Sequence, residues 1–189
     1  MAEGLNTLGV AHRFIREQVR PGAFCIDATA GNGHDTALLC ELCGPSGRVL
    51  AFDIQESAVQ ATKRRLAGCG FQNRAEVILD SHSNMDRYAE KESVDCIVFN
   101  FGYLPGGDHR VFTTAATSIP AIEKGLALLK PRGVMSLCIY YGGDSGYEEK
   151  EALLTYLKTV DPRQYTVLLH QFYNRPNDPP IPVFLYKEC

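Results

Sequence analysis

Chemistry in this chain gathers at four places where an apolar run gives way to acids, amides and glycines. The first is Asp27-Ala28-Thr29-Ala30-Gly31-Asn32-Gly33-His34-Asp35-Thr36. Glycines at a strand-to-helix turn let the backbone approach a ligand closely. The second is Asp53-Ile54-Gln55. An acid at that tip can accept hydrogen bonds from both ribose hydroxyls of an adenosine, Ile54 can pack on the adenine face, and Gln55 stands near its edge. The third is Asp80-Ser81-His82, where Asp80 can accept from the exocyclic amine of adenine. For His82 a site role and a structural role are equally open. The fourth is Asn100-Phe101-Gly102-Tyr103-Leu104-Pro105-Gly106-Gly107-Asp108-His109.

Two adenosine cofactors compete for the first three places. A dinucleotide needs its pyrophosphate at a helix N-terminus and prefers G-x-G-x-x-G. Here Thr36 stands where the third glycine would be, and Asp35 would put negative charge beside the phosphates. S-adenosylmethionine has no phosphate and carries a sulfonium and an ammonium group. Asp27 and Asp35 suit those cations, so charge favours S-adenosylmethionine. A plain capping role for Asp35 and a turn role for Asp27 stay open.

The fourth place is where transfer would occur. In open α/β sheets ligands bind outside the carboxyl ends of strands, near the switch point. Asn100 can accept a hydrogen bond through its side-chain oxygen and so orient an amine toward a methyl group. Positioning is most of what such a transfer requires. Tyr103 could stack on a base. Asp108 and His109 are candidates for taking the amine's proton. A tight structural loop is the competing reading of this segment.

The elements that must hold these groups are legible as alternating strand-like and helix-like segments. Strands are expected at 24–29, 48–54, 75–80, 94–100 and 133–140. Helices are expected at 34–43, 57–69, 83–91, 113–130 and 147–160. Gly44-Pro45-Ser46-Gly47, Gly68-Cys69-Gly70 and Pro131-Arg132-Gly133 punctuate them. Nearly continuous apolar strands separated by helices imply a parallel sheet covered on both faces, hence a doubly wound α/β sandwich. The last quarter differs. Runs at 165–172 and 183–187 read as strands with no helical pattern between them, joined by the proline-rich NRPNDPPIP. An antiparallel edge on a mostly parallel sheet is expected there, an ending usual for a class I methyltransferase with its Rossmann-like sheet. One domain over 1–189 is expected, with an N-terminal helix at about 5–20 packed on or near the site.

At this point the motifs resemble a family. DATAGNGHDT, AFDIQ, DSHSN, NFGYLPGGDH and the closing NRPNDPP resemble the small bacterial S-adenosylmethionine-dependent methyltransferases known as "putative rRNA methylase". The resemblance runs from about Ala11 to Lys187. It implies a reaction: members are similar to the enzyme of Gram-positive bacteria that converts 5-aminomethyl-2-thiouridine to 5-methylaminomethyl-2-thiouridine at the tRNA wobble position. By position it makes Asp27, Gly31, Asn32, Gly33, Asp35, Thr36, Asp53, Gln55 and His82 the cofactor set, beside Ala28, Ile54, Asp80 and Ser81. Asn100, Gly102, Tyr103, Leu104 and Pro105 become the catalytic block, with Asn100, Gly102, Leu104 and Pro105 also against the cofactor. The resemblance further suggests a homodimer. No metal is required. The alternatives are an rRNA or a small-molecule amine as substrate, or a non-catalytic cofactor-binding partner protein.

Composition bounds these readings. The chain has 189 residues, 45% hydrophobic, with a net charge of −3. It is one ordinary globular domain rather than a strongly basic nucleic-acid binder. RNA would have to be held locally, by His12, Arg13 and Arg16 at helical spacing, by Arg110 beside the fourth segment, and by Asn174 and Arg175 in the late loop. Lys63-Arg64-Arg65 reads as a solvated helix face. Seven cysteines, most of them in apolar or periodic runs, read as reduced buried thiols. No signal peptide and no membrane span is evident, so a cytoplasmic location is expected.

Overall fold

The computed structural model describes residues 5–102, 113–141, 143–176 and 179–189, without the side chains of 143–145. Helix α1 (Thr7–Gln18) leads into strand β1 (Phe24–Asp27), helix α2 (His34–Cys43) and strand β2 (Arg48–Asp53). Helix α3 (Glu56–Gly68), strand β3 (Ala75–Leu79) and a 3-10 helix (His82–Arg87) follow. Strand β4 (Val94–Phe101), helix α4 (Ala115–Leu128), strand β5 (Leu129–Ile139), helix α5 (Gly143–Leu157), strand β6 (Tyr165–Leu169) and strand β7 (Ile181–Lys187) complete the chain.

The strands form one sheet in the order β3-β2-β1-β4-β5-β7-β6. The first five run parallel. Strand β7 inserts antiparallel between β5 and β6, so the expected reversed edge is present, and β6 again points the way of β5. The order reverses between β1 and β4, whose carboxyl ends leave a crevice there.

Alternation along each strand sorts the core into two layers. Ile26, Leu50, Phe52, Ile97, Phe99, Met135 and Leu137 pack with Ile122, Leu126, Leu153 and Leu157 of α4 and α5. Cys25, Val49, Cys96, Val98, Val134 and Cys138 face α1, α2 and α3, where they meet Phe14, Ile15, Leu39, Cys40, Cys43 and Leu66. The buried cysteines are therefore small apolar residues of one layer, free rather than paired. Cys43 lies 3.4 Å from Cys25, sulfur to sulfur. The contact with Cys25, together with burial, holds the Cys43 thiol toward its protonated form, and burial does the same for Cys40.

Two expected elements differ. The helix expected at 83–91 is a short 3-10 turn. Asp80 accepts from Ser81 N, Asn84 Nδ2 and Tyr88 Oη at 2.7, 2.8 and 2.9 Å, and Ser81 Oγ accepts from Ser83 N. These local side-chain bonds compete with an α-helical ladder. The turn expected at Pro131–Gly133 lies inside β5. Its register with β4 shifts between Val94 and Cys96, and Arg132 has φ +66°. The extra residues form a bulge, where a proline is tolerated in a strand. Among the described residues no helix is long and apolar enough to cross a membrane.

Candidate active site

The glycine loop after β1 is built by close approach. Gly31 and Gly33 have φ of +52° and +77°. A Cβ on Gly33 would lie 2.9 Å from Thr62 Cα of α3, so only glycine fits that turn without displacement. Asp27 is fully buried beneath the loop. It accepts from Thr36 Oγ1 at 2.6 Å and Thr29 N at 3.2 Å. Burial, helped by the charge of Asp35, raises its carboxyl pKa despite those bonds. The structure thus places Asp27 as a brace under the loop, with Ala28 buried beside it.

Asp53 ends β2 and ties the loop to the next turn. Its Oδ2 accepts from Gly31 N and its Oδ1 from Gln55 N, both at 2.9 Å. Each carboxylate oxygen still has a lone pair for a further donor. Beyond it Ile54 is 57% exposed, and at the tip of β3 Leu79 is 52% exposed. These two aliphatic faces beside Asp53 suit a flat base. Leu79 escapes sequence reading because it looks like any strand residue. Asp80 spends both oxygens on the 3-10 turn, which holds its carboxyl below the usual range. Asn32 offers its carbonyl to Arg65 Nε at 2.6 Å, and Arg65 Nη2 donates to His34 Nε2 at 2.8 Å. Arg65 therefore leaves the solvated face and clamps the glycine loop. Lys63 and Arg64 stay exposed.

Asn100 lies across the crevice on β4. Its backbone N–H donates to Thr29 Oγ1 at 2.7 Å. Its amide Nδ2 donates to Asp35 Oδ2 at 2.7 Å, and His12 Nε2 donates to Asp35 Oδ1 at the same distance. A carboxylate can only accept, so Asp35 fixes which end of the amide faces it. The other end, Asn100 Oδ1, is buried and has no hydrogen-bond partner among the described residues. Burial pushes the Asp35 carboxyl up, but the bonds from His12 and Asn100 outweigh it and hold it low. His12 was expected against RNA. The structure gives it a bond inside the site, bridging α1 to α2, because the helix face that carries it turns inward there. Arg13 and Arg16 remain exposed on α1, and Arg16 is 3.7 Å from Glu41.

His82 reaches from the end of β3 to the crevice. Its ring lies edge-on to Phe99 and Phe101, at 6.0 and 6.4 Å between centroids. It hydrogen-bonds the Ala28 backbone, and Nε2 is the ring nitrogen left buried without a partner. Burial lowers its pKa to about 4, so the ring is neutral and Nε2 is an open acceptor.

Tyr103, Leu104, Pro105, Asp108, His109 and Arg110 lie outside the described residues. The residues on either side of that segment are joined directly. Gly102 N donates to Thr113 Oγ1 at 2.8 Å, and Thr113 N donates to Gly102 O at 3.1 Å. Thr113 Oγ1 in turn donates to Glu149 Oε2 at 2.8 Å, and Ser118 Oγ donates to Glu149 Oε1 at 2.7 Å. Glu149 is a buried acid on α5 whose pKa burial raises against those two bonds. Gly102 takes φ +142°, and a Cβ there would meet Tyr140 at 3.1 Å. Sequence reading misses Glu149, since a helical glutamate normally faces water. Among the described residues no group of three or more His, Cys, Asp or Glu could hold a metal ion. Asn174 and Arg175 are exposed in the loop between β6 and β7.

Comparison with known proteins places this geometry. Residues 49–186 match the family described as "Putative rRNA methylase". A chloroplastic tRNA (mnm(5)s(2)U34)-methyltransferase from Arabidopsis thaliana is 33% identical over 187 residues, covering 94% of this chain and 68% of that protein. The solved structure of a "putative rRNA-methylase" from Clostridium thermocellum is similar with a TM-score of 0.94 at 44% identity, over 96% of this chain and 97% of that chain. A "putative methyltransferase" from Streptococcus mutans, solved in complex with SAH, gives 0.87 at 34% identity over 96% and 98%.

Proposed function

The chain belongs to the "Putative rRNA methylase" family of S-adenosylmethionine-dependent methyltransferases, and we propose that its substrate is tRNA. In this reading it N-methylates the aminomethyl group of wobble 5-aminomethyl-2-thiouridine, giving 5-methylaminomethyl-2-thiouridine. The observation that carries the reading is the amide of Asn100: its nitrogen anchored, its oxygen buried and unpartnered at the switch point. Such an acceptor suits an N–H donor and turns the amine's lone pair outward. The Arabidopsis relative, whose printed activity is on a tRNA uridine, supports tRNA as the class.

The residues fit S-adenosylmethionine. Asp53 would accept from the ribose hydroxyls, Ile54 and Leu79 would cover the adenine, and the backbone from Gly31 to Gly33 would leave room for the rest. The cofactor supplies a methyl group already activated on a sulfonium. What the chain adds is position. His12 and Asp35 hold Asn100, and Asn100 Oδ1 accepts an N–H of the amine. A free alkylamine has a pKa of about 10. Transfer out of water, beside the cofactor's sulfonium charge, would disfavour its ammonium form. Asp108 and His109 stand next in sequence to accept the proton released. Arg13, Arg16 and Arg110 supply cations for the phosphates.

The test is to incubate the protein with methyl-labelled S-adenosylmethionine and tRNA from cells lacking this modification, then digest to nucleosides. Label in 5-methylaminomethyl-2-thiouridine is the expected result. Label only in rRNA, or only in a free amine, would replace the tRNA reading. Absence of transfer to any RNA, with the cofactor bound, would sink RNA methylation altogether.

A further inference from the structure

The insertion of β7 brings a second surface to the same edge as the crevice. Because β7 runs antiparallel to β5, it begins where β5 ends, with Ile181 opposite Ile139. The described residues of the connection, 170–176 and 179–180, therefore lie on the carboxyl edge of the sheet, and Thr7 Oγ1 of α1 donates to Pro180 O at 2.7 Å. On this connection the Arg175 guanidinium sits over the Phe172 ring, 4.4 Å from its centroid. Between them Tyr173 is 97% exposed.

The fold does not explain these side chains. A tyrosine with nearly all its surface in water adds nothing to the core. Arg175, itself exposed, sets its cation over a half-buried phenylalanine at the surface. Rings interleaved with cations, beside a crevice of the same sheet edge, are the chemistry that holds single-stranded nucleic acid: bases stack on the rings and phosphates meet the charges. A chain of net charge −3 has no general field to attract a polyanion, so these cations act locally.

We propose that the rim formed by Phe172, Tyr173 and Arg175 is a stacking platform for the unpaired bases of the RNA loop that enters the crevice. It rests on the RNA-methyltransferase reading, and it locates the binding energy for RNA away from the reacting amine. Tyr173 carries a base, and Arg175 spans a ring and a phosphate.

The test is fluorescence anisotropy of a fluorescein-labelled anticodon stem–loop RNA with the full chain and its Tyr173→Ala, Tyr173→Phe and Arg175→Glu variants. Stacking on one aromatic side chain corresponds to a loss of about tenfold in affinity or more on truncation. Tyr173→Ala should weaken RNA binding by about that factor, and Arg175→Glu by at least as much with a shallower salt dependence. Tyr173→Phe should bind like the unsubstituted protein. S-adenosylmethionine affinity and thermal melting should stay unchanged in all three. Unaltered RNA affinity in both Tyr173→Ala and Arg175→Glu overturns the proposal. So does a change of sedimenting mass in Tyr173→Ala with RNA affinity intact, which would make the rim an interface between two copies. The two readings fail separately: Tyr173-dependent RNA binding without methyl transfer to tRNA keeps the platform and removes the substrate assignment. Transfer to tRNA with Tyr173-independent binding does the reverse.

Discussion

The two halves of the sheet's carboxyl edge are assembled differently. On the β1–β2 side the acids bond locally: Thr36 reaches Asp27, and Gly31 reaches Asp53, within one strand–helix–strand unit. On the β4–β5–β7 side every important contact is distant in sequence. Asn100 meets Asp35, Asp35 meets His12, Glu149 meets Thr113, and Thr7 meets Pro180. The first half repeats a motif that any nucleoside-binding sheet can use. The second half is joined across the fold, because α1, α5 and the inserted β7 converge on it. On the proposed function, cofactor affinity would rest in the first half and turnover and RNA affinity in the second.

The sharpest way to break that division is a pair of substitutions. Asn100→Ala should lower turnover about 100-fold, the scale on which lost positioning acts, with cofactor affinity nearly unchanged. Asp53→Ala should do the opposite: about 10- to 100-fold weaker cofactor binding by calorimetry, for the loss of charge-assisted hydrogen bonds, and turnover retained at saturation. Full turnover in Asn100→Ala would remove the catalytic assignment. A smaller effect is expected at Glu149, a positioning residue. Glu149→Ala strands Thr113 and Ser118 and should reduce turnover roughly tenfold by loosening Gly102. It should also destabilise the fold by about 1–3 kcal/mol, while cofactor affinity holds. Loss of stability with turnover intact would make Glu149 purely structural.

The smallest effect is a pH dependence. The pKa of His82 lies near 4 in the fold against 6.5 in a free chain, because burial opposes its charge. The stabilisation from its neutral form is therefore complete above 6.5 and is lost as pH falls from 6.5 through 4. Urea unfolding at about pH 7.5 and 4.5 should show the wild type losing on the order of 2 kcal/mol more than His82→Gln. Glutamine can still donate to Ala28 but does not titrate. Equal losses would place the pH sensitivity elsewhere.

Much of the cofactor half could be read directly, since glycines, the acids after apolar runs and the strand–helix alternation are local signals. So could the reversed edge, from two strand-like runs with no helix between them. The 3-10 turn after Asp80 and the bulge at Pro131–Gly133 could not, because side-chain bonding and register with β4 decide them. His12 illustrates the limit most clearly. Its spacing with Arg13 and Arg16 marks a basic helix, but whether the imidazole faces RNA or Asp35 depends on how α1 rotates as Phe14 stacks on Phe184, centroids 4.0 Å apart.

By itself the sequence determined the alternation of the sheet, the glycine turn and the acids that suit an adenosine, because these depend on period, backbone freedom and charge within a few residues. Tertiary structure decided which acids are spent and which atoms are left open. Asp27 and Asp80 look available in sequence and are consumed by their neighbours. Asn100 Oδ1 and His82 Nε2 are left as open acceptors by partners that hold the opposite end of each group. A hydrogen bond satisfies one atom at a time, and only folding brings the competing donors and acceptors within reach of one another.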